Sequence, residues 1–139
     1  MFANLFSLKH NLEEREINAS QAMAALMVRI AKSDDDYAIT ECERIDAILS
    51  VLYSLSATEA SALRLQGETL EASAPDTVRF TRAIKEEVPY EERFDVVRAL
   101  WQVVLADGER DHEEDALMRL LASLLGVNDR DSAIARQRA

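Results

Sequence analysis

Two stretches of this chain are apolar around most of a helix's circumference, and they constrain the fold more than any other feature. The first, SQAMAALMVRIAKS, runs from Ser20 to Ser33, with Arg29 its only charge before Lys32. The second, ERFDVVRALWQVVLADG, runs from Glu92 to Gly108 and carries Phe94, Val96, Val97, Leu100, Trp101, Val103, Val104 and Leu105. A helix with one apolar stripe lies on a surface, whereas one apolar on most faces must be surrounded by other helices. The pattern therefore predicts two central, buried helices with the rest of the chain wrapped around them. Three Gly and two Pro in 139 residues leave few breakers, and runs of β-branched residues are scarce. The expectation is an all-α, multihelical bundle of roughly seven or eight helices, in one domain spanning 1–139 that buries about two-thirds of its chain surface.

The remaining segments read as amphipathic covers. Short helices are expected in 1–19, a first repeat over 20–72, a connecting helix over 75–88 and a second repeat over 90–138. Thr40 opens T-E-C-E, a capping-box pattern, and Ile45, Ile48, Leu49, Leu52 and Tyr53 follow at helical spacing. Ser56 with Glu59 repeats the pattern ahead of Ala60, Leu63 and Leu70. Ser73 is placed to cap a helix with Pro75 in its first turn and Val78, Ala83 and Ile84 behind, ending by Val88 because Pro89 disfavours helical geometry before it. Asp111 opens D-H-E-E, and Leu117, Leu120, Leu121, Leu124 and Leu125 form the next apolar face. Gly126 is placed as a helix stop. Asn128 is placed to cap a last short helix, where Arg136 and Arg138 suit the negative end of the dipole.

The chain also resembles itself. IAKSDDDYAITE (30–41) aligns without a gap on VVLADGERDHEE (103–114), pairing Asp34 with Asp107, Asp36 with Glu109 and Glu41 with Glu114. Each half reads as a buried helix, an acidic loop, an amphipathic helix and a short capped helix. After Ala106, six of nine residues are acidic: Asp107, Glu109, Asp111, Glu113, Glu114 and Asp115.

Two readings of this charge stand. Hard divalent cations of the calcium and magnesium class take carboxylate oxygens as ligands. Asp107, Glu109 and Asp111 can converge on one ion, with Glu114 reaching back from the following helix. Asp34, Asp36 and Glu41 occupy the corresponding places in the first half, where Ala38 replaces Asp111 and leaves that site one carboxylate poorer. The loops are not EF-hands, because the positions needing Gly and a bidentate Glu are His112 and Met118 in one loop and Ile39 and Ile45 in the other. On the other reading the loops are structural. Asp111, Glu113 and Glu114 then favour a helix N-terminus, and Asp107 with Gly108 forms an Asx-type turn. Asp34, Asp35 and Asp107 fit that reading less well, because they follow helix C-termini, where the dipole disfavours carboxylates.

The residues LWQVVLADGERDHEEDALMRLLASLLGV resemble the second half of a TerB-like domain, the family named for the bacterial tellurite-resistance protein TerB. The Ala-Asp-Gly turn corresponds to Ala106, Asp107 and Gly108, and the helix-opening Glu to Glu114. AKSDDDYAITE resembles the equivalent first-half segment, with Asp35 in place of the turn Gly. The likeness covers about residues 20 to 128. It implies a multihelical fold around two central helices, a bacterial cytoplasmic setting and divalent-cation binding by the acidic loops within stress-linked systems. Such domains also occur joined to J-domains, but this chain has no His-Pro-Asp triplet, so co-chaperone activity is not carried over.

A net charge of −10 opposes binding to nucleic-acid phosphates and to anionic membrane surfaces, and favours a divalent cation or a basic protein partner. No apolar run approaches the ~20 residues that span a bilayer. The apolar patch of Phe2, Leu5, Phe6 and Leu8 lacks the basic region of a signal peptide. Cys42, alone, has no disulfide partner within the chain, and with His10 and His112 it does not supply a zinc ligand set. Cys42 is expected to be a small buried residue, Trp101 and Tyr37 packing aromatics, and Arg29 and Arg98 partners of carboxylates or of a groove. There is no phosphate loop, no nucleophile with a matched His and no HExxH. The expectation is a non-enzymatic accessory module; its alternative is a helical interaction adaptor with purely structural acidic turns.

Overall fold

A computed structural model describes residues 17–33, 37–73, 76–106 and 112–139, with the side chains of 112–114 outside the description. Among the described residues it contains seven α-helices and no strand: α1 (Ala19–Lys32), α2 (Ile39–Tyr53), α3 (Ala57–Ser73), α4 (Thr77–Glu87), α5 (Arg93–Leu105), α6 (His112–Leu124) and α7 (Asp129–Gln137), with a 3-10 turn at Tyr90–Glu92 before α5. The fold is all-α, as the apolar patterning predicts. Of the stretch 1–19, where short helices are expected, residues 1–16 lie outside the described residues, as does Pro75.

The two apolar stretches form α1 and α5. Ten of the fourteen residues of α1 are buried, and α1 packs against α2, α3, α4 and α5. Seven of the thirteen in α5 are buried, and α5 packs against α1, α2, α6 and α7. Met23, Leu26, Met27 and Ile30 of α1 and Leu100 of α5 are fully buried, beside Ile45, Leu49, Phe80, Ile84, Met118, Leu121 and Leu125 from the covers. At ~1.5–3 kcal/mol for each large side chain, this core is the main stabilising term.

Local chemistry sets the helix ends. Asn18 and Gln21 form a reciprocal capping box ahead of α1. Ser56 does the same for α3, its Oγ accepting from Glu59 N at 3.1 Å while its own N–H donates to Glu59 Oε1 at 3.0 Å. The Ser56 backbone N–H, and after it the Ser56 hydroxyl, hold the Glu59 carboxyl below the usual range. Gly126 ends α6 at φ +78°, and Val127 N–H reaches back to Ala122 O at 2.9 Å, the left-handed stop that favours glycine. Asn128 Oδ1 accepts from Asp131 N at 2.8 Å and caps α7. The helix before Pro89 ends at Glu87, as expected.

Two expected caps are corrected. Thr40 lies inside the first turn of α2, which begins after an extended Ala38 whose carbonyl accepts from Glu41 and Cys42. Ser73 closes α3, its hydroxyl donating to Leu70 O, while Asp76 caps α4 through Val78 N–H at 3.0 Å. The apolar faces shift too. Leu52 and Leu120 are exposed, and Met118 and Ala122 take the buried positions on α6. The third helix of the first half is not short: α3 has 17 residues, against nine in α7.

That length follows from how α3 meets α1. Gln21 Nε2 donates to Gln66 Oε1 at 3.2 Å, and Lys32 Nζ reaches Glu71 Oε2 at 3.1 Å, so the two helices run in the same sense. Between these pairs Gly67 lies against Ala24 and Ala25: a Cβ at residue 67 would stand 2.7 Å from the Ala24 backbone carbon and Cβ. Backbone cannot yield as a side chain does. Gly67→Ala gains ~1 kcal/mol of helix propensity but meets that clash, so we expect a net loss of about 1–3 kcal/mol, read as a lower urea midpoint. A midpoint at or above wild type would contradict the close approach.

Candidate functional site

α2 runs opposite to α1 and α3. Tyr37, just before α2, meets Glu68 near the C-terminal end of α3, and Asp46, further along α2, meets Arg64 one turn earlier. The C-terminal end of α1, the start of α2 and the last turns of α3 therefore come together at the place where the first acidic segment joins the fold.

The described side chains there form two linked ionic groups. Tyr37 OH donates to Glu68 Oε1 at 2.6 Å, and Arg64 Nη1 donates to the same oxygen at 2.8 Å. Arg64 Nε donates to Asp46 Oδ1 at 2.7 Å, and Nη2 to Ser61 Oγ. One turn along α3, Glu71 accepts from Lys32 at 3.1 Å and faces Arg29 Nε at 3.6 Å. Arg29 continues to Thr77 Oγ1 at 3.0 Å and lies over the Phe80 ring, while Lys32 lies over Tyr37. Lys32 and Tyr37 stand on either side of residues 33–36, and both are tied to the same face of α3 through Glu68 and Glu71.

Burial pushes the Tyr37 hydroxyl well above the ordinary tyrosine range, and its bond to Glu68 adds to the rise. Burial, then the nearby Glu87 carboxylate, pushes Tyr53 from 10.0 up to about 12.

The seven expected cation ligands are placed very unequally. Asp34, Asp36, Asp107, Glu109 and Asp111 lie outside the described residues, and Glu114 lies within α6 but its side chain is outside the description. Only Glu41 is described in full: it sits half-buried in the first turn of α2, with Oε2 shielded from solvent. Among the described residues no three His, Cys, Asp or Glu side chains converge as a metal site. The second acidic segment leaves α5 at Ala106, beside the middle of α2: Gln102, Leu105 and Ala106 share a groove of about 430 Å³ with Arg44, Ile48 and Val51.

Other expectations can be compared directly. Trp101 is a packing aromatic, its Nε1 donating to Ser132 Oγ at 3.1 Å. Tyr37 packs against the core but is also a hydrogen-bond donor, which the sequence reading missed. Cys42 is half-buried rather than buried. Arg29 pairs with Glu71, and Arg98 approaches Asp95 at 4.0 Å. Arg136 and Arg138 lie over Trp101 and Phe94, which binds α7 across α5 as well as completing its last turn. Arg64 was missed altogether; its spacing to Glu68 was a local signal, its pairing with Asp46 was not.

The fold so defined is an all-α bundle in which two buried helices each run into an acidic segment. A family model for the tellurite resistance protein TerB matches residues 20–137, and the chain belongs to the TerB family. No curated protein and no solved structure matches it. No helix among the described residues is long and apolar enough to cross a membrane.

Two outcomes test the polar cluster. Arg64→Met strands the carboxylates of Asp46 and Glu68, whose side chains are 23% and 28% exposed, and is expected to lower stability by about 1–3 kcal/mol; a loss no larger than in a Lys85→Met surface control would contradict the pairing. The raised tyrosines give the second. Below pH 10 both states hold the phenolic proton. Above it the unfolded chain releases protons that the fold retains, so stability falls between pH 10 and about 12. Tyr37→Phe and Tyr53→Phe should each flatten that fall in urea melts at stepped pH, and an unchanged slope in both would contradict the assignment.

Proposed function

We propose that this chain is a non-enzymatic accessory module, related to tellurite resistance and other bacterial stress systems, whose acidic segments bind a divalent cation of the calcium or magnesium class in the cytoplasm. The observation that carries the reading is where the charge is placed. α1 ends at Lys32 and α5 at Leu105, so Asp34, Asp35 and Asp107 follow helix C-termini, where a carboxylate is disfavoured by ~0.3–1 kcal/mol. The fold gains nothing from negative charge there; a bound cation would. Asp107, Glu109, Asp111 and Glu114 are the ligand set of the second segment, and Asp34, Asp36 and Glu41 that of the first. Tyr37 and Lys32, tied to α3 beside the first segment, support it by limiting how far its ends can move.

The alternative is an adaptor that binds a basic protein, its acidic turns purely structural. The groove between α2 and α5, where Ile48, Val51 and Leu105 line one apolar wall, favours a docking surface of some kind, although Arg44 on that wall does not select a basic partner.

Thermal unfolding after chelation, with calcium, magnesium, manganese or zinc added back, separates the two. A ligand specific to the folded state stabilises it by ~2.7 kcal/mol at a hundred times its Kd. The cation reading expects a saturable rise in Tm with calcium or magnesium that is reduced in Asp107→Asn/Asp111→Asn. A flat response to every ion at millimolar concentration would sink it and leave the adaptor.

A further inference from the structure

We draw no further inference here: the strongest candidate, the apolar groove between α2 and α5 lined by Ala47, Ile48, Val51 and Leu105, is an unpartnered face with nothing in the structure to show what covers it, since among the described residues the one charged side chain on its wall, Arg44, calls for a carboxylate while the chain's net charge of −10 calls for a basic partner.

Discussion

The backbone contact between α1 and α3 sets the geometry of the first half. Gly67 lets α3 approach Ala24 and Ala25 closely enough that no Cβ fits between them. Small residues along α1 therefore serve two ends at once: they fill a crowded interior, and they bring two helix backbones near enough for the polar groups at their ends to meet. Gln21–Gln66 closes one end of the contact, and Lys32–Glu71 the other. A bulkier α1 would still be buried, but it would move Glu68 and Glu71 away from the partners that order the start of α2.

From that contact follows the ionic cluster at the first acidic segment. Arg64 satisfies two carboxylates on different helices, and Glu68 in turn accepts from both Arg64 and Tyr37. Half-buried ion pairs of this kind contribute modestly to stability but define relative position sharply, because leaving one member unpaired costs more than the pair contributes. The second half is built differently. There α7 is held to α5 by Trp101–Ser132 and by Arg136 and Arg138 over aromatic rings. The last helix of each half is thus held by different contacts: ion pairs and side-chain amides for α3, a Trp–Ser bond and stacked guanidinium groups for α7.

What was legible in the sequence was what depends on local pattern. α1 and α5 announce themselves by apolar residues around most of the helix, and the ends marked by Ser56–Glu59, Gly126 and Asn128 by chemistry confined to a few positions. Thr40 and Ser73 misled for an equally local reason: each lies within four residues of the true helix start, and the boundary was set by the extended Ala38 in one case and by the Asp76 carboxylate in the other. Leu120 misled because Met118 lies within one turn of it, and heptad-like spacing alone does not say which of the two turns inward. Tyr37–Glu68 and Arg64–Asp46 span 31 and 18 residues of sequence, a separation no periodicity encodes. The acidic segments were visible as composition only, since convergence of carboxylates is a property of loop backbone.

On the proposed cation-binding role, the charge of the two acidic segments that follow α1 and α5 is there for a cation rather than for the fold. An amide-resolved NMR titration of the chelated protein with calcium and then magnesium tests it most directly. Cation binding is expected to give saturable shifts at the residues flanking the segments, Ser33 and Tyr37 on one side and Ala106 and Asp115 on the other, with the buried centre of α1 around Leu26 unmoved. No saturable shift at either set of flanks, at millimolar cation, would contradict it.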